Sequence, residues 1–518
     1  MEALHHKLSG SDYIEIFEGD RSGNRNPRQT PFKLYSLATP TPVPDPQLIG
    51  WSEDLAKELG LRSPDGEDIQ LLSGNAMPPG TLPFAMNYAG HQFGNWAGQL
   101  GDGRAINLGK ISSQKASYEV QLKGAGPTAY SRHADGSAVL RSSVREFLIS
   151  EAMHYLGVPT TRALALISTG EKVLRDMFYN GNPQQEQGAI VTRLAPSFLR
   201  FGSFELLAAQ RDKTQLLRLV NWTISTYFPG ITGEDKILSW YQQVVQSTAA
   251  LMTQWHRIGF VHGVMNTDNM SIHGLSLDFG PFSFLDNYDL NFTPNTTDLP
   301  GRRYAFGNQA SVAYWNLGKL ANAISLLFED TDDLKVILES YEDEYWKSYY
   351  RMMGNKLGLG ESITPEDQVL ISKFEKLLSD LQPDMTLFYR MLLKLTPDSG
   401  PTEIRTYFDH TFYRQLEPTE QQDLNQLLLS YIARRKEDEL PWELSQELMG
   451  RNNPRIILRN YLLHQAIAEL EEGKDQLFKK LQVAMKDPYR DEGFEELVQK
   501  RPEWAASKPG CSMLSCSS

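Results

Sequence analysis

The sequence predicts an α+β protein of two lobes, a β-rich small lobe with one key helix and a mostly helical large lobe. Residues 118–123 alternate polar and apolar side chains as a strand does. Residues 140–156 carry an apolar stripe at helical spacing, and beyond Phe204 most segments have helical periodicity. A strand-rich half followed by a helix-rich half is typical of the α+β class. The predicted parts are an N-terminal extension that wraps the domain formed by the two lobes (1–80), the small lobe (81–205), the large lobe (206–435), and a C-terminal helical extension with a flexible tail (436–518).

Composition excludes several classes of protein. The chain has 518 residues, a net charge of −13 and only two cysteines, Cys511 and Cys516. Such acidity argues against binding to nucleic acid or to an anionic membrane, and no apolar run reaches the roughly 20 residues of a membrane span. Two cysteines cannot staple a core, which favours a cytoplasmic protein.

A glycine-rich turn follows the N-terminal extension. Gly101 and Gly103 bracket Asp102 in a predicted turn between two strands. Glycines let backbone N–H groups approach phosphates closely, although a plain hairpin is the commoner meaning of such a pair.

The strand at 118–123 ends on Lys123, on the face opposite Tyr118, Val120 and Leu122, which we expect to face the core. Glu146 lies off the apolar stripe of the following helix. A strand lysine paired with a helix glutamate is the arrangement that protein kinases use at their nucleotide site. The sequence therefore predicts a Lys123–Glu146 ion pair, the alternative being two solvated surface charges.

Two more strands are predicted at 163–167 and 188–192, and two arginines follow the second. Arg193 and Arg200 are placed to clamp a polyphosphate, because the guanidinium fork matches phosphate oxygens. Either arginine by itself would more often be a surface residue. The predicted helices beyond them lie at 204–229, 233–258, 309–328, 331–354, 365–380, 383–396, 419–435 and 455–485.

A polar stretch at 262–281 holds the oxygen donors Asn269 and Asp278 on either side of a predicted tight hairpin, residues 271–276. Amide and carboxylate oxygens are the ligands that Mg²⁺ or Mn²⁺ prefers when it also binds phosphates. A buried hairpin with polar turns is the alternative.

The same stretch has the spacing of the protein-kinase motifs His-Arg-Asp-x-x-x-x-Asn and Asp-Phe-Gly. His262 matches the histidine, Asn269 the asparagine, and Asp278 the aspartate of the second motif. The catalytic aspartate of kinases falls on Val264, which cannot accept a proton. Another carboxylate, Asp268, stands beside Asn269.

Together these pieces resemble the selenoprotein O (SelO/YdiU) family of kinase-like protein nucleotidyltransferases, over nearly the whole chain. The resemblance implies transfer of AMP from ATP, or of UMP from UTP, to protein hydroxyls. It also implies a nucleotide flipped relative to that of kinases, so that its α-phosphate meets the acceptor. The blocks that carry it are Tyr88-Ala-Gly-His-Gln-Phe-Gly94, Gln99-Leu-Gly-Asp-Gly-Arg104, Leu122-Lys-Gly-Ala-Gly126, Val139-Leu-Arg-Ser-Ser-Val-Arg-Glu-Phe-Leu148, Arg200-Phe-Gly-Ser-Phe-Glu205 and Gly263-Val-Met-Asn-Thr-Asp-Asn-Met270.

The resemblance also implies roles for individual residues. Asp268 matches the proton acceptor, and Asn269 and Asp278 match the ligands of Mg²⁺ or Mn²⁺. The partners implied are a nucleoside triphosphate and protein substrates that carry Ser, Thr or Tyr hydroxyls. The positions that match nucleotide contacts are Gly101, Gly103, Arg104, Lys123, Asp135, Gly136, Arg193, Arg200 and Asp278.

The C-terminus departs from the family pattern. Eukaryotic members end with selenocysteine two residues before the C-terminus, where this chain has Cys516, and Cys511 is too far upstream for a Cys-x-x-Cys motif. A redox role is therefore as open as a mobile, reduced end. Two other functions also stay open: a kinase-type phosphotransferase, disfavoured by Val264, and an inactive nucleotide-binding scaffold, disfavoured by the retained metal pair.

Overall fold

A ten-stranded sheet forms the centre of the small lobe in the computed structural model, which describes residues 1–113, 116–177, 180–360 and 362–515. The path through the sheet runs β2-β3-β5-β8-β9-β12-β11-β4, with β1 paired to β8 and β10 to β12. All pairs are antiparallel except β2 with β3. The strands are β1 Leu8–Ser9, β2 Gly19–Asp20, β3 Tyr35–Leu37, β4 Gln47–Trp51, β5 Phe84–Met86, β6 Ala89–Gln92, β7 Asn95–Gln99, β8 Ala105–Ser112, β9 Ser117–Lys123, β10 Ala138–Val139, β11 Arg162–Arg175, β12 Gln184–Ala195, β13 Phe260–Val261 and β14 Ser283–Phe284.

The N-terminal 80 residues are built into this sheet. Their strands β2 and β3 extend one edge, and β4 pairs with β11 at the other. Their buried side chains, among them Leu55 and Leu72, pack with Ile106, Val120 and Leu122 from one face of the sheet. The extension thus shares an apolar core with the small lobe, and Val120 and Leu122 face it as the sequence predicts.

The other face of the sheet receives the long helix of the small lobe, Leu140–Tyr155. Phe147, Val144 and Leu148 of this helix are buried in the main core, which continues into the large lobe. This packing turns the polar side of the helix, with Glu146, toward the end of β9.

Seventeen helices are found in the described residues, and the large lobe is mostly helical, as predicted. Its two longest helices, α8 and α10, each end at a left-handed glycine, Gly259 and Gly358. The helices are α1 Leu4–Lys7, α2 Tyr13–Ile16, α3 Glu53–Glu58, α4 Gly66–Leu72, α5 Leu140–Tyr155, α6 Phe201–Ala209, α7 Lys213–Tyr227, α8 Lys236–Ile258, α9 Gln309–Ile324, α10 Asp332–Leu357, α11 Pro365–Leu381, α12 Met385–Met391, α13 Pro401–Phe408, α14 Pro418–Lys436, α15 Trp442–Asn452, α16 Asn460–Glu471 and α17 Gln476–Ala484.

Two predicted helices are wrong as single elements. The segment 204–229 is divided between α6 and α7, because Arg211 is left-handed and Asp212 caps a new helix by accepting the Gln215 N–H at 3.0 Å. The segment 455–485 is divided between α16 and α17, with left-handed Gly473 between them. Two helices that begin at or just after prolines, α13 and α15, were not predicted.

The predicted hairpin at 271–276 is also wrong. The segment makes a turn, closed by the Gly274 N–H on the Ser271 carbonyl at 3.3 Å, but its arms do not pair with each other. Ser271 pairs with Arg200 and Ser276 with Thr160 instead. The turn still separates Asn269 from Asp278, so the two donors lie on different arms.

The C-terminal tail is packed up to Ser515, whereas the sequence predicted a flexible tail. Cys511 and Leu514 are buried, and Leu514 exchanges backbone hydrogen bonds with Pro294 and Thr296 of the large lobe. The hydroxyl of Ser515 donates to the Met177 carbonyl in the small lobe. Cys516 lies outside the described residues. Within the described ranges, no helix is long and apolar enough to cross a membrane.

Candidate active site

Asp278 is the point where cations from several elements converge. One carboxylate oxygen, Oδ1, accepts a hydrogen bond from Arg193 Nη1 at 2.5 Å and lies 3.4 Å from Lys123 Nζ. The other, Oδ2, accepts from Arg200 Nη1 at 2.5 Å. Burial opposes ionisation of Asp278, but attraction by Arg200, Arg193 and Lys123 outweighs it and holds the pKa well below its usual range. Asp278 is left-handed, with φ of 57°, so the loop backbone is strained where it presents this carboxylate.

Lys123 and Glu146 form the ion pair that the sequence predicts. Lys123 Nζ lies 2.8 Å from Glu146 Oε2, and the other oxygen of Glu146 accepts from Arg193 Nη1 at 2.9 Å. Gln121, two residues before Lys123 on the same face of β9, accepts from the guanidinium of Arg193. The strand and the helix of the small lobe thereby fix Lys123 and Arg193, two of the three cations that reach Asp278. Burial lowers the pKa of Lys123, while Glu146 and Asp278 oppose that effect.

Arg200 joins the loop of Asp268 to Asp278. Its Nη1 donates to the carbonyl of Asp268 at 2.7 Å as well as to Asp278, and its guanidinium lies 4.4 Å over the ring of Tyr88. Asp102 lies 3.7 Å from Arg200 Nη2, and burial raises the pKa of the Asp102 carboxyl. Asp102 is buried in a cage formed by the Met86 N–H, the Tyr88 hydroxyl and the Gln121 amide.

Asp268 has one carboxylate oxygen held and one free. Its Oδ2 accepts from Gln92 Nε2 at 3.2 Å, whereas its Oδ1 is buried without a hydrogen-bond partner in the described structure. Burial raises the pKa of Asp268 to about 6, against the lowering effect of Arg200 and Gln92. A free, buried carboxylate oxygen is suited to accept a proton from a hydroxyl group.

Asn269 and Asp278 fit a hard metal ion that takes its remaining ligands from phosphates and water. Asn269 Nδ2 donates to the Val264 carbonyl at 3.0 Å, which fixes the amide and leaves its oxygen without a hydrogen-bond donor in the described residues. Among the described residues, Asp278 Oδ2 accepts a hydrogen bond only from Arg200, so a lone pair is left for a metal. The described ranges contain no cluster of three or more His, Cys, Asp or Glu side chains placed to hold a metal. Two oxygen donors supplemented by phosphates match Mg²⁺ better than an all-protein cage would.

The glycine turn at 100–104 lies against Tyr130. Gly101 is left-handed, and a Cβ there would come within 2.4 Å of the Tyr130 ring; a Cβ on Gly103 would come within 2.8 Å of the Tyr130 carbonyl. Both glycines are therefore required by packing, whatever they contact in a ligand. The Arg104 carbonyl accepts the Gly124 N–H at 2.7 Å, and the Arg104 side chain forms no ion pair with a described residue. Its charge helps to lower the pKa of Lys123, so it adds to the positive potential here.

No hydrogen bond or ion pair among the described residues joins Asp135 or Gly136 to the Asp278 cluster. The Asp135 carboxylate makes a two-pronged ion pair with Arg175, at 2.7 Å to each nitrogen. Gly136 is left-handed, and a Cβ there would overlap the backbone of Gly126 and Pro127. Asp135 lines a small cavity of about 70 Å³ together with Gly124 and Gly126, next to the end of β9.

His91 and Glu205 form a half-buried pair that sequence reasoning missed. His91 Nδ1 lies 2.6 Å from Glu205 Oε1, and the His91 N–H donates to the hydroxyl of Thr267, next to Asp268, at 2.7 Å. Burial raises the pKa of Glu205 to about 7. Both residues stand in the motifs that carry the family resemblance, and that was the available signal. Gln92 and Asp102 could have been found from the same motifs.

A Lys–Glu pair from the small lobe that faces the aspartate of an Asp-Phe-Gly segment defines a kinase-like protein. Val264 in place of the usual base separates it from protein kinases. A family model described as protein adenylyltransferase SelO matches residues 28–486. Protein nucleotidyltransferase YdiU of Cytophaga hutchinsonii is 54% identical, covering 100% of both chains. The YdiU of Xanthomonas axonopodis pv. citri is 50% identical over 93% of this chain and 94% of its own, and that of Aromatoleum aromaticum 46% over 98% of each. This chain belongs to the SelO family of protein nucleotidyltransferases.

A solved structure, ROP2 from Toxoplasma gondii, is described as a virulence factor with a protein-kinase fold and no enzymatic activity. It matches with a TM-score of 0.22 and 12% identity, covering 56% of this chain and 78% of ROP2. A TM-score this low carries no information on activity.

Proposed function

We propose that this enzyme transfers AMP from ATP to Ser, Thr or Tyr hydroxyls of other proteins and releases diphosphate, with UMP from UTP as the alternative reaction. The observation that carries the proposal is the free Oδ1 of Asp268, buried beside a carboxylate–arginine cluster, in a loop whose kinase-base position is Val264. Cytoplasmic location is part of the proposal and is supported by the sparse use of cysteine.

The cations of the cluster are suited to hold a triphosphate. Lys123, Arg193 and Arg200 converge on Asp278, and Arg104 adds a charge that no described residue pairs. Preorganised cations stabilise the charge that builds on a diphosphate leaving group. Glu146 and Gln121 fix the positions of Lys123 and Arg193, so little reorganisation is required when the nucleotide binds. The family resemblance adds Gly101, Gly103, Asp135 and Gly136 to the proposed nucleotide contacts.

The proposed transfer is a single displacement at the α-phosphorus. The acceptor oxygen forms a bond to that phosphorus as its proton passes to Asp268 Oδ1, and the bond to the bridging oxygen breaks so that diphosphate leaves with the electron pair. Asn269 and Asp278 would hold Mg²⁺ or Mn²⁺, which when bound neutralises phosphate charge. Gln92 holds Oδ2, and Arg200 holds the Asp268 backbone, so the free oxygen has a fixed direction.

Labelled ATP tests the proposal against its two alternatives. The protein is incubated with α-labelled or γ-labelled ATP, in parallel with α-labelled UTP, in the presence of Mg²⁺ or Mn²⁺ and of candidate protein acceptors. Label that enters protein from the α-position alone is the expected result. Label from the γ-position alone would show a kinase, and the absence of label from every nucleotide, with retained binding by calorimetry, would show a scaffold.

A further inference from the structure

An aromatic and cationic cluster lies beside the loop of Asp268, and the proposed chemistry does not use it. We call it the Trp96 patch: Trp96, His91, Trp315, Arg303 and Lys319. The His91 ring lies 5.0 Å from Trp96 and 5.4 Å from Trp315. The guanidinium of Arg303 lies 4.6 Å over the Trp315 ring, and Lys319 Nζ lies 4.5 Å from the same ring. Trp96 is 46% exposed, so its ring is open to a partner.

The patch is continuous with the catalytic loop. Trp96 belongs to the hairpin of β6 and β7, and the same hairpin carries Gln92, which binds the Asp268 carboxylate at 3.2 Å. The Phe93 N–H at its tip donates to Asn266 Oδ1, two residues before Asp268, at 3.2 Å. Arg303 packs against Gly94 of the same tip, at 3.5 Å from the position of a Cβ there. A polypeptide lying on the patch would therefore pass close to Asp268.

The charge of the patch favours an acidic partner. Neither Arg303 nor Lys319 forms an ion pair with a described residue. Two carboxylates lie nearby, and both are buried and already bonded: Glu205 to His91, and Asp298 to the Thr293 hydroxyl and to the N–H groups of Arg303 and Tyr304. The chain as a whole carries a net charge of −13, and Arg303 and Lys319 place two cations together in this patch. Exposed Trp and Arg side chains are also the residues most enriched at the energetic centres of protein interfaces.

We propose that the Trp96 patch docks an acidic segment of the protein substrate, next to the hydroxyl that receives the nucleotide. This inference rests on the proposed function, because it takes Asp268 as the group that meets the acceptor. Arg303 and Lys319 would pair with Asp or Glu side chains of the segment, and Trp96 would cover its apolar parts. The patch would thus select which hydroxyls reach Asp268, while the nucleotide cluster remains indifferent to the acceptor.

A degenerate peptide library tests this docking site. Each peptide carries a central Ser, Thr or Tyr with flanking positions fixed as acidic, basic or neutral, and incorporation from α-labelled nucleotide is measured. The parent is compared with Trp96→Ala and with the double variant Arg303→Glu and Lys319→Glu. Lys436→Glu, a charge reversal at an exposed residue of α14, is the matched control. The KM for nucleotide and the labelling of the enzyme itself are measured for every variant.

We expect the parent and Lys436→Glu to label acidic peptides about tenfold faster than basic ones at low peptide concentration. The double reversal should favour basic peptides, and Trp96→Ala should raise the KM for acidic peptides about tenfold with an unchanged KM for nucleotide. Two results would overturn the docking site and leave the proposed transfer intact. In the first, the enzyme labels itself and labels acidic and basic peptides equally well. In the second, it labels itself but labels no peptide. Concentration-dependent self-association that Trp96→Ala abolishes would assign the patch to a second copy of the chain. Absence of all α-label would instead contradict the proposed function.

Discussion

At Asp278 one carboxylate balances three cations that come from different parts of the small lobe and its junction with the helices. Removal of the Asp278 carboxylate has two opposite effects on nucleotide binding. The proposed metal loses a ligand, but Lys123, Arg193 and Arg200 lose the anion that competes with phosphate for them. The dependence of ATP binding on metal is therefore more informative than the affinity alone.

We predict that Asp278→Ala abolishes transfer and removes the gain in ATP affinity that Mn²⁺ gives the parent, because the proposed metal loses its only carboxylate. Metal-free ATP binding should be retained or strengthened. Removing a carboxylate that both buried arginines contact should also cost about 3–5 kcal/mol of stability. Calorimetry with ATP, with and without Mn²⁺, measures the first effect, with Asp343→Ala on the surface of α10 as the control. An unchanged gain from Mn²⁺ would remove Asp278 from the metal site.

Glu119, on β9, supplies a test of burial energetics away from the reacting groups. It accepts from the Tyr227 hydroxyl at 3.0 Å, and burial raises its pKa from 4.5 to about 7, although Lys110 and Tyr227 lower it. Between about pH 4.5 and about pH 7, the folded protein therefore keeps a proton on Glu119 that the unfolded chain has released. Stability contributed at this site is present below pH 4.5 and is lost as pH rises through 7.

We predict that Glu119→Gln becomes progressively more stable relative to the parent as pH rises from 5 to 8, because the variant has no carboxyl to ionise in the core. The relative change should not exceed roughly 3.4 kcal/mol, the value of about 2.5 pKa units. Urea unfolding at both pH values measures the difference. Equal effects of the substitution at pH 5 and pH 8 would show that Glu119 titrates normally in the folded protein.

The site residues that could be predicted from the sequence were charged residues whose chemistry suits phosphate or metal binding. Lys123, Glu146, Arg193, Arg200 and Asp278 lie in one hydrogen-bonded cluster. The residues that were missed position others: Gln92, Gln121, Asp102, and the pair of His91 with Glu205. A neutral amide or a buried acid gives no signal by itself, because its role depends on a partner brought near only by the fold. The structure bears out the Lys123–Glu146 pair. The nucleotide, metal and catalytic roles stay predictions for all the residues to which they were assigned: Gly101, Gly103, Arg104, Lys123, Asp135, Gly136, Arg193, Arg200, Asp268, Asn269 and Asp278.

At the scale of elements, the hairpin of β6 and β7 packs over the loop of Asp268. Gly90 of β6 is packed so closely that a Cβ would come within 3.0 Å of both Asp268 Oδ1 and the Thr267 hydroxyl. Gly202 of α6 approaches the hairpin as closely, since its Cβ would overlap the Ala89 carbonyl. Gly90 and Gly202, which lack a Cβ, therefore allow the hairpin, the helix α6 and the loop of Asp268 to pack this closely.

We predict that Gly90→Ala lowers the rate of transfer by one to two orders of magnitude with little change in ATP affinity, because the methyl group displaces the Asp268 carboxylate and a displacement of about 1 Å can cost about 100-fold. Transfer from α-labelled ATP and calorimetry measure the two quantities. Gly230→Ala, at a glycine with open space around its Cβ, is the control. A rate of transfer by Gly90→Ala equal to that of the parent would show that the position of Asp268 does not matter, and so would contradict its role in the reaction.

Element types were easier to predict than element ends. Long periodic segments such as α8 and α10 were found within a few residues, because an apolar stripe of several turns has few alternative structures. The break at Arg211 was invisible, since a non-glycine residue there adopts a left-handed conformation that only the tertiary packing imposes. The hairpin prediction for 271–276 was wrong because the two arms pair with Arg200 and Thr160, which are remote in sequence.

At the scale of the whole molecule, both chain ends are part of the lobes. The N-terminal strands extend the sheet at its two edges, and the C-terminal tail reaches from the large lobe at Pro294 to the small lobe at Met177. The predictions of a kinase-like α+β fold, of SelO membership and of a nucleotidyltransferase are confirmed. The burial of the tail could not be predicted, because its few apolar residues are not spaced as in a helix or a strand.

We predict that deletion of residues 509–518 lowers the melting temperature by several degrees, because Cys511 and Leu514 leave the core and the bond between Leu514 and Thr296 is lost. Deletion of residues 516–518 alone is the control. Differential scanning calorimetry of both proteins measures the effect. A melting temperature unchanged by the longer deletion would mean that the tail contributes no stability.

The central claim is that Asp268 takes the proton of the acceptor hydroxyl, since the kinase base is replaced by Val264. The most direct measurement is protein labelling from α-labelled ATP by Asp268→Asn, with ATP and Mn²⁺ binding followed by calorimetry on the same preparation. Asparagine keeps the shape and lacks the basicity, so we expect binding close to that of the parent and transfer reduced roughly 10²–10⁴-fold. Adding Val264→Asp should not restore it, because a flipped nucleotide would not place its α-phosphate opposite that position. Labelling by Asp268→Asn near the parental rate would contradict the account and leave water or the nucleotide as the proton acceptor.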